Sequence, residues 1–336
     1  MRRLAAIGII LALVASPLRA GPFEDGVKFY EARDYARALL SFGQAAARDD
    51  AAAQAFLGVM YAEGQGVERD YRQAISWYQK ASAQGNAIAQ YNLGLMYAGG
   101  KGLPQDYRQA AMWHEKAALQ GYAPAQSYLG FMYYNGQGVA LDYQQAAFWC
   151  AEAAARGNAA AQYNLGLMYA NGQGVLQDHK LALSWYEKAA AQGDAMAQYN
   201  LGLAYATGQG VAADHAQALA WYQRAAEQGY VRAQNNLALM YDSGQGVPQN
   251  YEKAVFWYEK AAAQGDAIAQ YNLGLMYAKG QGIRKDYVEA HKWWSLAEAS
   301  GDRSAGKNRR AVEKLMTPEQ IAEARRRAGE RREVRR

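Results

Sequence analysis

Between Asn86 and Gly121 the apolar positions fall into two helical registers with glycine between them. Ala89, Leu93, Met96 and Tyr97 stand at i, i+4, i+7 and i+8, which places them on one face of a helix, here helix A. Asn86 follows a glycine and is suited to cap that helix, as are Asp194 and Asp266 at the same place further along. Gly99, Gly100 and Gly102 stop it, because glycine past a helix end takes the left-handed conformation at no Cβ cost. Asp106 then offers a carboxylate to the free N–H groups of a second helix, with Gln109 three residues on as in a capping box. Ala110, Trp113 and Ala117 predict the inner face of this helix B, and Gly121 ends it. Gly94 sits inside helix A, where it costs about 1 kcal/mol relative to alanine. The expected return is close approach of helix B, with alanines as the facing residues.

The pattern repeats every 36 residues. Trp77, Trp113, Trp149, Trp185, Trp221, Trp257 and Trp293 keep this step, as do Gly58, Gly94, Gly130, Gly166, Gly202 and Gly274, with Ala238 the exception. A second glycine series runs from Gly85 to Gly301 in the same register. Such periodicity predicts an all-α solenoid of antiparallel helix pairs, seven 36-residue repeats over 51–301, in which each small pair completes its core by stacking on its neighbours. Residues 21–50 read as a degenerate first repeat and N-terminal cap, since Asp34, Tyr35 and Ala38 precede Asp70, Tyr71 and Ala74 by one period. Residues 302–336 read as a C-terminal cap and tail, with Thr317 and Pro318 starting a helix that carries Arg325, Arg326 and Arg327.

Composition changes the picture in three places. Residues 1–20 have the form of a secretory signal: Arg2 and Arg3, then an apolar run from Leu4 to Ala15, then Ala20 before the expected cleavage point. Leu18 departs from the small residue preferred near that point. The chain is therefore expected in the periplasm or outside the cell, with an uncleaved N-terminal anchor as the alternative reading of this segment, and no other apolar stretch is long enough to span a membrane. The formal charge of +5 is unevenly spread: the first twenty residues hold +3 and the segment from Arg303 holds +7, so the middle is mildly acidic at −5. That argues against nucleic-acid binding along the chain. Cys150 stands alone, which excludes an intramolecular disulfide framework.

The run Ala-Gln-Tyr-Asn-Leu-Gly-Leu-Met-Tyr, at 89–97, 161–169 and 269–277, together with the Gly-Gln-Gly-Val, Asp-Tyr and Trp-Tyr-x-Lys-Ala-Ala segments, resembles the Sel1-like repeat, a relative of the tetratricopeptide repeat. The resemblance implies a right-handed superhelix and a role as adaptor or scaffold for protein partners, often in bacterial envelopes. Some relatives are cysteine-stapled and carry a β-lactamase label; this chain lacks those cysteines.

By analogy with tetratricopeptide units, the residues around Leu-Gly line a concave groove. These are Tyr91, Asn92, Leu95, Tyr163, Asn164, Leu167, Tyr199, Asn200, Leu203, Asn236, Tyr271, Asn272 and Leu275. Such a ladder suits an extended or helical peptide; the alternative is that the same residues pack between adjacent A helices. The seven periodic tryptophans are expected in the structural core. His114, His179, His215 and His291 lack metal-ligand spacing and any neighbouring nucleophile motif, so no catalytic residue, metal or cofactor is expected. The leading expectation is an exported scaffold for a protein partner. An assembly factor for envelope polysaccharide or secretion machinery is the alternative, and a cell-wall or β-lactam hydrolase a remote one. The basic tail is a candidate contact for anionic envelope components.

Overall fold

The computed structural model describes residues 21–333; the proposed signal segment and the last three residues lie outside it. All regular structure among the described residues is helical, and the helices form two compact units.

The first unit holds α1 (Pro22–Glu31), α2 (Tyr35–Ala46), α3 (Ala51–Glu63), α4 (Tyr71–Ala83), α5 (Ala87–Gly99) and α6 (Tyr107–Leu119). The second holds α7 (Ala123–Asn135) from Gln126 onward, α8 (Tyr143–Ala155), α9 (Ala159–Asn171), α10 (His179–Ala191), α11 (Ala195–Thr207), α12 (His215–Glu227), α13 (Val231–Ser243), α14 (Tyr251–Ala263), α15 (Ala267–Lys279), α16 (Tyr287–Ala299), α17 (Arg303–Glu313) and α18 (Pro318–Glu333). Within each unit a helix packs chiefly on its neighbours in sequence, so the core is a succession of small clusters.

Capping chemistry sets the boundaries. Asp106 accepts from the N–H groups of Arg108 (2.8 Å) and Gln109 (3.1 Å), and Asp70, Asp142, Asp214 and Asp286 do the same in their repeats. Asn86, Asn158, Asp194 and Asp266 cap the A helices. Each such cap is worth about 1 kcal/mol. The turn between the paired helices is closed by a backbone bond, as from Asp106 N to Tyr97 O (3.0 Å). At the start of α18, Thr317 and Gln320 bond each other's backbone N–H reciprocally.

The mid-helix glycine faces a different residue from the one expected. A Cβ at Gly166 or Gly202 would lie 2.6 Å from the ring of Tyr186 or Tyr222; at Gly94 it would meet the His114 ring and at Gly130 the Cys150 thiol. The residue after each periodic tryptophan, not an alanine, fills the space that glycine leaves. That side chain is larger than alanine, which is why the A helix must give up its Cβ there.

The tryptophans themselves take a position the sequence pattern did not indicate. Trp149 and Trp293 are buried, while Trp77, Trp113, Trp185, Trp221 and Trp257 are half-buried. Trp77 packs on the α1–α3 cluster, Trp113 on the α3–α5 cluster and Trp221 on the α10–α11 cluster. Each of these clusters joins the A helix of the tryptophan's own repeat to the helices before it, so these rings sit at joints between repeats. A cation one turn later covers the outer ring face: Lys80 over Trp77 (4.3 Å), Lys116 over Trp113 (4.2 Å), Lys188 over Trp185 (3.8 Å) and Arg224 over Trp221 (4.5 Å).

A glutamine relay with one buried member per pair also crosses the joints. Gln192 donates to Gln162 Oε1 (2.8 Å), and Gln162 donates to Ala154 O of the preceding repeat (3.2 Å). Gln228 to Gln198 and Gln264 to Gln234 repeat the first link, and Gln198 to Ala190 O and Gln234 to Ala226 O the second. In the seventh repeat Ser300 stands where the donor glutamine would be, and Gln270 Oε1 is buried without a protein partner. Ser300→Gln is therefore expected to stabilise the protein by about 1 kcal/mol, read as a rise in urea midpoint at unchanged slope.

Charge in the C-terminal helices is not what the raw count suggests. Arg326 pairs with Glu323 and Glu330, Arg327 with Glu323 and Glu289, and Arg325 with Glu313. The three consecutive arginines of α18 are thus all paired.

Candidate partner-binding face

The proposed ladder lies on one face of the A helices, and its residues bond to one another as well as to the core. In the first unit, Tyr91 is half-buried with its ring 5.3 Å from His114 and 5.4 Å from Tyr122. Leu95 is half-buried, but Asn92 is only 2% exposed and points into the core, so it offers a partner no surface.

In the second unit, Tyr163, Asn164, Leu167, Tyr199, Asn200, Leu203, Asn236, Tyr271, Asn272 and Leu275 are all half-buried. Tyr163 leans on Tyr186 (6.0 Å), and Tyr199 on Tyr222 (5.7 Å) and Tyr230 (5.2 Å). Asparagines bridge successive repeats: Asn200 bonds the Tyr163 hydroxyl, Asn236 that of Tyr222 and Asn272 that of Tyr258. Burial pushes the Tyr163 and Tyr222 hydroxyls up to about 12, with the asparagine bonds working the other way. These hydroxyls stay protonated at neutral pH, as hydrogen-bonding groups rather than nucleophiles.

More exposed apolar residues share this face and were not singled out in the sequence. Phe131 and Leu239 are 42% and 48% exposed and keep the 36-residue register of Leu95. Met196 and Ile268, at 42% and 59%, stand seven residues before Leu203 and Leu275, two turns along the same face. The register held the signal, but the literal Leu-Gly-Leu motif hid it, because Phe131 follows Leu-Gly and Leu239 follows Leu-Ala.

Elsewhere the titratable groups have structural surroundings. No group of three or more His, Cys, Asp or Glu side chains suited to a metal ion occurs among the described residues. Cys150 is buried and its thiol is pushed up to about 12 by desolvation, which keeps it un-ionised. His291 is fully buried, with Nε2 2.8 Å from Glu313 and Ser295 Oγ 3.3 Å from Nδ1. The Ser295 hydroxyl donates to the His291 carbonyl at 2.8 Å, so this string ties α16 to α17.

His114 occupies the position where other repeats place tyrosine, and burial pushes it down to about 3. The unfolded chain takes up this proton near pH 6.5 and the folded chain does not, so stability is full above that pH and declines as pH falls toward 3. His114→Tyr is expected to gain on the order of 2 kcal/mol relative to the parent on going from pH 7 to pH 5, checked by urea titrations at the two pH values.

The Sel1 repeat model matches seven consecutive segments: 51–86, 87–122, 123–158, 159–194, 195–230, 231–266 and 267–302. Among solved structures, a Sel1 repeat protein from Oxalobacter formigenes is 36% identical with a TM-score of 0.69, over 88% of this chain and 86% of its own. The protein c5321, a protective antigen present in uropathogenic Escherichia coli strains and displaying an SLR fold, is 28% identical with a TM-score of 0.60, over 93% of this chain and 83% of its own. No functionally curated protein matches the chain. With seven matched segments covering residues 51–302, and with the helix pairs and joints described above, the chain belongs to the Sel1 repeat family.

Proposed function

We propose that this protein is an exported scaffold that holds a protein partner against the A-helix face of its repeats. Sel1-repeat proteins are generally protein-interaction scaffolds. The observation that carries the reading here is the row of exposed apolar residues, Phe131, Met196, Leu239 and Ile268, alongside the tyrosine–asparagine ladder of the second unit. Exposed apolar side chains that recur in two registers on one helix face make a contact strip, and half-buried tyrosines beside them add rigid area with a hydrogen-bonding tip. Residues 1–20 support export by their charged start and apolar run. The buried histidines and thiol give no support to a hydrolase reading.

Affinity capture from envelope extract tests the reading, with the protein beside a variant carrying Phe131→Ser, Met196→Ser, Leu239→Ser and Ile268→Ser. These sites are exposed, so the variant should keep the parent's circular dichroism. A partner kept by the parent and lost from the variant supports the strip. Equal retention would place the partner on another surface, and no retention of any protein by the parent would count against the scaffold reading.

A further inference from the structure

The outer face of α17 carries a row of cations that neither the repeat architecture nor the proposed partner strip uses. Arg303, Lys307, Arg310 and Lys314 stand at i, i+4, i+7 and i+11, and all four are exposed. They span about 16 Å of helix axis. The opposite face of the helix, Ala305, Gly306 and Val312, is buried.

Nearby carboxylates do not cancel this row. Asp302 caps α17, accepting from the N–H groups of Ser304 and Ala305. Glu313 is engaged by His291, Arg309 (2.6 Å) and Arg325. Glu298 is held by Arg309 at 2.8 Å and reaches Arg310 only at 3.5 Å. Among the described residues, no ion pair engages Arg303, Lys307 or Lys314. At the same end as Lys314, Leu315 is 65% exposed.

We propose that this face of α17 is a docking surface for an anionic membrane, with the four cations on lipid phosphates and Leu315 at the headgroup boundary. Four clustered cations on a helix face meet the usual size of a site for anionic lipid. A protein interface needs an apolar centre with a polar rim, and this face is cationic throughout with one aliphatic residue at its end. Binding driven by such a row is electrostatic, weakens with salt and needs no shaped pocket. It would hold the scaffold at a membrane surface while leaving the A-helix strip to a protein partner.

The test is co-sedimentation of the full protein with phosphatidylcholine vesicles, with and without about one third phosphatidylglycerol. Two variants of equal net charge are compared: Arg303→Gln, Lys307→Gln, Lys314→Gln, and the control Arg72→Gln, Arg108→Gln, Lys180→Gln, whose sites are exposed and lie in other helices. Circular dichroism confirms that each is folded. The expected result is binding that requires phosphatidylglycerol, declines on raising the salt, falls about 100-fold in the first variant and is retained in the control. Absence of a phosphatidylglycerol requirement, or an equal loss in both variants, overturns the proposal. Binding of inorganic polyphosphate without binding of either vesicle also overturns it and assigns the row to a soluble polyanion.

Discussion

Replacing Tyr258 by alanine is expected to lower the unfolding free energy by about 3–5 kcal/mol, more than the same change at the neighbouring Trp257. Tyr258 is fully buried in the cluster formed by α12 to α16 and packs opposite Ala238, the one place where the mid-helix glycine is replaced. Its hydroxyl donates toward Asp242 at 3.4 Å and bonds Asn272, so truncation also strips a partner from a carboxylate that burial already pushes up. Trp257 is half-buried, and part of its ring meets solvent and Lys260 rather than core. Truncating it opens less cavity and exposes less apolar surface, for a cost nearer about 2 kcal/mol. Urea unfolding followed by circular dichroism gives the two values side by side. A larger loss at Trp257 would show that the joint, not the pair core, carries most of the stability. Because neighbouring repeats share interfaces, the slope should be compared as well as the midpoint.

The second large effect is expected at Gly174. Its φ is +71°, a conformation that costs a residue with a Cβ about 1–2 kcal/mol. It also lies against the backbone of Tyr143 at the start of α8, and a Cβ there would overlap the Tyr143 carbonyl. That carbonyl is fixed within a helix and cannot swing aside, so the two repeats must part. Gly174→Ala is expected to cost about 3–5 kcal/mol, the backbone penalty plus overpacking. Gly193 separates these contributions. Its φ is +90°, but a Cβ there would meet nothing within 4 Å. Gly193→Ala should therefore cost only about 1 kcal/mol, after the entropy removed from the unfolded chain is counted. Thermal unfolding of the two variants checks the difference; equal losses would mean that the backbone conformation alone accounts for both.

Much of this protein could be read from its residues. Glycine, aspartate and asparagine in a fixed register act locally, through backbone conformation and capping, so helix boundaries and the 36-residue unit were legible from Asn86 to Gly121 alone. The ladder was legible only in outline: Tyr163 and Asn200 do lie on one face, but a hydrogen bond between residues of successive repeats depends on how those repeats stack. Asn92 and Asn164 stand in the same motif, yet one is buried and the other half-buried.

What the tertiary structure decided is which of two adjacent large side chains goes inside. Trp-Tyr pairs gave the sequence no means of ranking them, and tryptophan, the larger ring, was the natural choice for the core. Helix B is rotated so that the second residue enters the gap left by the mid-helix glycine while the tryptophan packs on the cluster at the joint with the preceding repeat. The same packing buried one glutamine of each relay pair, and it brought Glu313 and Glu289 to Arg325 and Arg327 of α18, while among the described residues no ion pair engages Arg303, Lys307 or Lys314 at α17. Periodicity is a property of the chain and survives in its sequence. Burial and the facing of one helix by another are relations between segments, which exist only once the repeats are stacked.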